Sequence, residues 1–156
     1  FKKSIGIMLI LIMVCMLSAE DSDNKHSLSL NFGGPLSLGY IEYQYKLYEQ
    51  NISSLSFSLG AGIFNNITTP IGLEYLFGTQ KNKLILGMHY VPEFYVDDPF
   101  STIDLNKASI RFGYRRHFRS RNKNMFFQFY FTPVLIFYES RIAVHESVAL
   151  GLGVNL

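Results

Sequence analysis

Leu55-Ser56-Phe57-Ser58-Leu59-Gly60-Ala61-Gly62-Ile63 places an apolar side chain at every odd position and Ser or Gly at every even one. Successive side chains of a β-strand point to opposite faces, so a period of two sorts this stretch into one apolar wall and one small polar wall. The same alternation recurs along the chain. Leu28, Leu30 and Phe32 interleave with Ser27, Ser29 and Asn31; Ile41, Tyr43, Tyr45 and Leu47 with Glu42, Gln44 and Lys46. Ile71, Leu73, Tyr75 and Phe77 form a third such row, and Leu84, Leu86, Met88 and Tyr90 a fourth. Ile110, Phe112 and Tyr114 alternate with Arg111, Gly113 and Arg115, and Phe127, Phe129, Phe131 and Leu135 flank Gln128, Tyr130 and Thr132. Val148, Leu150, Leu152, Val154 and Leu156 complete eight segments. A tilted membrane strand needs about 9–11 residues, which most of them approach.

The direction of the bulky face decides between a soluble and a membrane barrel. The interior of an eight-stranded barrel is just wide enough for side chains to fill. Eight strands of Phe, Leu and Tyr would overfill it, whereas Gly, Ser, Ala and Asn with a few long polar residues fit. The apolar face is therefore expected to look outward, into lipid. Glu42, Glu74, His89, Arg111, Arg115 and His117 all fall on the polar phase. A basic residue on the lipid face near the midplane costs about 2–4 kcal/mol, so these six are expected in the lumen. There the carboxylates and guanidinium groups are read as an ion-pair network, since buried charges persist when paired.

The connections alternate as well. Short polar turns are expected at Glu49-Gln50-Asn51, Thr79 to Lys83 and Ser120 to Asn124, and between them the loops at Gly33-Gly34-Pro35, 65–69, 97–107 and 139–146, two of which are longer than any of those turns. Short turns on one side and long loops on the other are the asymmetry of outer-membrane barrels. Tyr43, Tyr45, Tyr75, Phe77, Phe118 and Phe126 would form the periplasmic aromatic girdle; Tyr90, Phe94, Tyr95, Phe137 and Tyr138 would form the outer one.

On strand number, alternation and loop asymmetry, residues 27–156 resemble the small OmpA/OmpX-type outer-membrane barrel proteins. The resemblance implies an all-β fold, an eight-stranded antiparallel up-and-down transmembrane barrel, in the bacterial cell outer membrane. It implies outer-membrane lipid and the barrel-assembly machinery as partners. Such proteins commonly end in Phe or Trp, which that machinery reads; here the last residue is Leu156, with the Val154/Leu156 alternation kept.

The N-terminus reads as an address. Lys2 and Lys3 precede an apolar run from Ile5 to Leu17, then Ser18-Ala19 and a polar stretch. This is the order of a cleaved secretory signal. The expected organisation is a signal over 1–19, a short polar segment over 20–26 and the barrel over 27–156. The single cysteine, Cys15, lies inside the signal, so the mature chain would hold no disulfide and no thiolate metal site. Charged residues are 17% of the chain, against about 25% in a typical soluble domain. A net charge of +2 gives no nucleic-acid signal.

Three places strain the pattern. Pro92 and Pro133 lie within strand-like runs, where a closed barrel has no free edge to excuse a missing N–H. The phase slips between Leu38 and Ile41. Bulges are expected at both prolines and near Gly39-Tyr40.

Chemistry-bearing candidates are few. His145 and Ser147 share a strand face, and a similar His-x-Ser pair serves the outer-membrane lipid A deacylases. Here Val148 replaces that family's Asn, the pair lies on the last strand rather than the penultimate one, and it sits on the lumen phase, away from lipid. Loop-end polar residues are the preferred reading. His89 and His117 with Glu74 or Glu93 lack a metal-ligand spacing, and Asp97, Asp98 and Asp104 read as a solvated loop rather than a Ca²⁺ site. Asn51-Ile52-Ser53 and Asn66-Ile67-Thr68 match the glycosylation sequon by coincidence. No enzyme activity, cofactor or metal is expected. Phe100, Ile103, Leu105, Ile142 and Val144 give the two longest loops apolar tips suited to an extracellular contact. The function expected is a monomeric structural or surface-binding barrel. The alternatives are a lipid A-modifying hydrolase, a narrow pore or small-ligand carrier, and a soluble lipocalin-like barrel.

Overall fold

A computed structural model describes residues 25–34, 39–63, 67–94, 107–120, 123–138 and 141–156. The expected signal, the loop residues Phe100, Ile103 and Leu105, and Asp97, Asp98 and Asp104 lie outside them.

The strands are β1 (His26–Gly33), β2 (Gly39–Gln50), β3 (Ser53–Ile63), β4 (Ile67–Thr68), β5 (Ile71–Gly78), β6 (Asn82–Tyr90), β7 (Glu93–Phe94), β8 (Lys107–Ser120), β9 (Lys123–Phe137) and β10 (Ile142–Asn155). β4 and β5 are one stave interrupted at Thr69-Pro70. β6 and β7 are another, interrupted at Val91-Pro92. The eight staves run in the order β2-β1-β10-β9-β8-β6-β5-β3, and pairing of β2 with β3 closes the ring. Every ladder is antiparallel. The chain thus folds as a closed, eight-stranded, all-β, up-and-down barrel.

The register aligns the apolar phase of each stave with that of its neighbours. Leu28 faces Tyr43, Tyr43 faces Leu59, Phe57 faces Leu73 and Leu73 faces Met88. Leu86 faces Phe112, Phe112 faces Phe131, Phe129 faces Leu150 and Leu152 faces Leu30. These pairs make an apolar belt around the barrel. Its side chains are uncovered: Met88 is 70% exposed, Leu150 48% and Phe129 44%. An apolar surface of this extent is stable only against hydrocarbon.

The three connections expected as short polar turns share one end of the barrel. Gln50 pairs with Ser53, Gly78 with Lys83 and Ser120 with Lys123. Both ends of the barrel's chain lie there too, tied by a hydrogen bond from the Leu156 amide to the His26 carbonyl, 2.8 Å. At the opposite end the chain leaves β1 through Gly33 and Gly34, at φ +80° and +103°. These backbone conformations suit glycine.

The irregularities differ from expectation in two places. Pro133 makes no bulge: it stands opposite Glu146 in β10, and Ser109↔Val134 and Phe112↔Phe131 keep one register on the β8 side. The missing N–H only interrupts the ladder at Ile110 and Arg111. β2 is regular from Gly39 to Lys46. Its bulge falls at Leu47, between the pairs Lys46↔Ser56 and Tyr48↔Leu55. Pro92 does break its stave, as does Pro70, and the carbonyls of both remain useful. Pro70 accepts from the Gly60 amide at 2.7 Å and Pro92 from the Thr69 amide at 3.0 Å, so the wall stays tied across each break.

Candidate functional site

The polar phase converges on Arg111, in the middle of β8. Alternation turns its side chain toward the barrel axis, while the adjacent Phe112 faces outward, and the side chain is 1% exposed. Its Nη1 donates to Glu42 Oε1 on β2 at 2.7 Å and also to Glu74 Oε1 on β5. Nη2 donates to the Tyr40 hydroxyl at 2.8 Å. The guanidinium plane lies over the Tyr130 ring, 4.3 Å from its centroid, a cation–π contact that strengthens when water is excluded. The Tyr40 and Tyr130 hydroxyls hydrogen-bond to each other.

Each carboxylate has further partners. Glu74 Oε2 accepts from Gln44 Nε2 at 2.6 Å and lies 3.7 Å from Arg115 Nη2; its Oε1 lies 3.4 Å from His89 Nε2. Glu42 Oε2 accepts from Asn31 Nδ2 at 3.4 Å. Arg115 gives Nε and Nη2 to Gln128 Oε1, at 3.0 and 2.6 Å, and Gln128 Nε2 donates to Asn31 Oδ1 at 2.7 Å. Two carboxylates and two guanidinium groups balance in charge. Their attraction, joined by these amide and hydroxyl bonds, offsets desolvation that would otherwise cost several kcal/mol per ion.

Ser58 on β3 hydrogen-bonds to His89 Nε2 at 2.8 Å, so seven of the eight staves supply a side chain to this cluster. The eighth, β10, supplies room: a Cβ on Gly151 would collide with Asn31 Oδ1. The sequence-derived residues Glu42, Glu74, His89, Arg111 and Arg115 are brought together. His117 is not: it sits nearer the short-turn end, packs on Phe126 at 5.6 Å and has no hydrogen-bond partner for Nε2 among the described residues. Tyr40, Tyr130, Gln44 and Gln128 belong to the cluster and were not singled out. Their phase was legible, since each shares parity with a charged or amide residue of its own strand. Tyrosine reads by default as a lipid-facing residue, which hides it. Phe126 is corrected in the opposite sense. It is buried in the lumen beneath Arg115, 4.2 Å from the guanidinium carbon, and is no part of a girdle.

The oxygens of Glu42 and Glu74 and a ring nitrogen of His89 lie within 4.8 Å of one another, as metal ligands would. Arg111 already occupies the space between the carboxylates, so this is a guanidinium site rather than a metal site. Glu93 pairs with Lys107 instead. Ile142 and Val144 lie in β10, opposite Phe137 and Leu135, as strand residues in phase with the apolar belt rather than loop tips. Ser147 Oγ donates to the Thr132 carbonyl at 2.9 Å, and His145 is exposed.

A closed antiparallel wall, greasy outside and ion-paired inside, defines the transmembrane β-barrel class. The chain is similar in structure to the N-terminal β-barrel domain of OprF from Pseudomonas aeruginosa, with 14% identity and a TM-score of 0.58 over 85% of this chain and 98% of that one. It also aligns with a de novo designed transmembrane β-barrel at 12% identity and a TM-score of 0.49, over 88% and 100% of the two chains. At 14% identity the likeness to the OprF domain is one of fold. No family model and no curated protein matches the chain, so its resemblance to OmpA/OmpX-type proteins is one of architecture.

Proposed function

We propose that this chain is a monomeric, non-enzymatic barrel of the bacterial outer membrane, with a structural or surface-binding role carried by its extracellular loops. One observation carries the reading: the lumen is spanned by the Arg111–Glu42–Glu74 cluster and the two tyrosines, which blocks a through-channel and leaves the loops as the surface open to partners outside the cell. The short turns and chain ends would face the periplasm, and the loops at 95–106 and 139–140 the outside. Outer-membrane lipid contacts the belt, the barrel-assembly machinery inserts the chain, and an extracellular ligand meets the loops. The non-enzymatic reading is supported by Ser147, whose hydroxyl proton is committed to a backbone carbonyl rather than shared with His145.

Fractionation with gel mobility before and after boiling tests the compartment and the fold together. The protein is expected in the outer-membrane fraction, with a mobility that shifts on heating. Recovery in the aqueous periplasm would refute the reading. Purified protein in planar bilayers is expected to give no steady channels, and conductance of defined size would refute the plugged lumen. Trimming the loop at 95–106 is expected to abolish surface binding of whole cells while the heat-shift persists. Unchanged binding would refute the loop role.

A further inference from the structure

Below the plug, at the short-turn end, the lumen widens into a cavity of about 670 Å³ that opens along the barrel axis. That volume lies within the range of small-ligand sites, about 300–1,000 Å³. Lys25, Lys46, Lys81, Lys83, Arg115 and Arg119 line it, with Glu49 as the sole carboxylate among the described lining residues. With Arg115 already balanced by the carboxylates of the plug, the five remaining cations and Glu49 still leave the mouth more positive than the +2 of the whole chain.

The cations come from separate parts of the wall: the lead-in to β1, then β2, the β5–β6 turn, β6 and β8. They converge because lumen-facing positions at one level of a closed wall must face the axis. Glu49 offsets one unit of this charge and is shared between two lysines. It is half exposed, bonded to Lys46 at 2.8 Å and 3.9 Å from Lys83. Lys46 and Lys83 are held against the wall, at 21% and 13% exposure, where low-dielectric surroundings focus the field into the mouth. His117 also lines the cavity, and its Nε2 has no partner among the described residues.

From this we infer that the short-turn mouth is a binding site for a small, soluble, multiply charged phosphate-type anion. Lysines act as point charges suited to phosphate, and several arranged around one basin match an anion with more than one phosphoryl group. A lipid headgroup carries the same chemistry. Its acyl chains, however, lie against the outer belt and cannot follow it through a polar rim into the lumen, so the ligand is assigned to the aqueous side.

The test uses the folded barrel in nonionic detergent and isothermal titration with inorganic tripolyphosphate, at low ionic strength where the Debye length exceeds about 10 Å. One saturable site per barrel is expected, weakening as salt is raised. The double variant Lys46→Gln/Lys83→Gln is expected to weaken binding about tenfold or more. Lys81→Gln, on the exposed turn, should weaken it in the same direction without touching the wall. Arg141→Gln, at the opposite end, should leave it unchanged. No saturable heat with wild-type protein, or an unchanged affinity in both lysine variants while the heat-shift shows them folded, would overturn the inference. In vesicles, binding that survives replacement of zwitterionic by anionic lipid supports a soluble ligand. Lysine-dependent loss of binding on that replacement would assign the mouth to a headgroup and overturn it.

Discussion

Replacing Arg111 with Met removes the one cation that both Glu42 and Glu74 touch directly. All three side chains are at most 1% exposed. The variant leaves two buried carboxylates facing one guanidinium, Arg115, which lies 3.7 Å from Glu74. Methionine keeps an adaptable apolar body against the Tyr130 ring, so the loss is chiefly electrostatic. Leaving a buried charge uncompensated costs about 3–5 kcal/mol. The double variant Glu42→Gln/Arg111→Met restores neutrality, with Glu74 against Arg115, and should recover most of that loss. The assay is equilibrium urea unfolding in lipid vesicles, followed by circular dichroism and by mobility of unheated samples, with stability from linear extrapolation. A loss below about 1 kcal/mol in the single variant, within the range of an ordinary hydrogen bond, would refute the reasoning. So would a double variant as unstable as the single one.

Two further substitutions probe the wall and the plug. Leu86→Arg, in the middle of β6 and 44% exposed, should cost about 2–4 kcal/mol in the same unfolding assay, whereas Leu47→Arg, at the bulge near the short-turn rim, should cost about 0–1; equal costs would show that the belt does not face hydrocarbon. Tyr40→Phe removes the hydroxyl that Tyr130 and Arg111 Nη2 share and should lower stability by about 1–3 kcal/mol, while a neutral result would mean that hydroxyl holds no part of the plug.

The wall was legible because its signal is local: a period of two survives whatever the neighbours are. Parity alone put Glu42, Glu74 and Arg111 on one face. Their convergence was legible only because an eight-stranded lumen is narrow enough to force it. The errors lie where side-chain type and position disagree. Phe126 was assigned outward by its chemistry although its parity matches Gln128. Tyr40 sat beside an apparent slip in phase that is absent from β2 itself. The bulge at Leu47 fell inside an uninterrupted run, Leu47-Tyr48, with no Gly or Pro to mark it. The mouth was missed because its cations are scattered over segments far apart in the chain, each reading singly as a turn or rim charge.

Arg111 meets partners 69 and 37 residues away in sequence, on staves that come into place only when the wall has curled. A half-rolled sheet in a bilayer would hold these ions with their counterparts missing. Intermediates are therefore disfavoured relative to both the unrolled and the sealed forms, and insertion and sealing should proceed as one cooperative event. The same ions that block the lumen would then drive its completion.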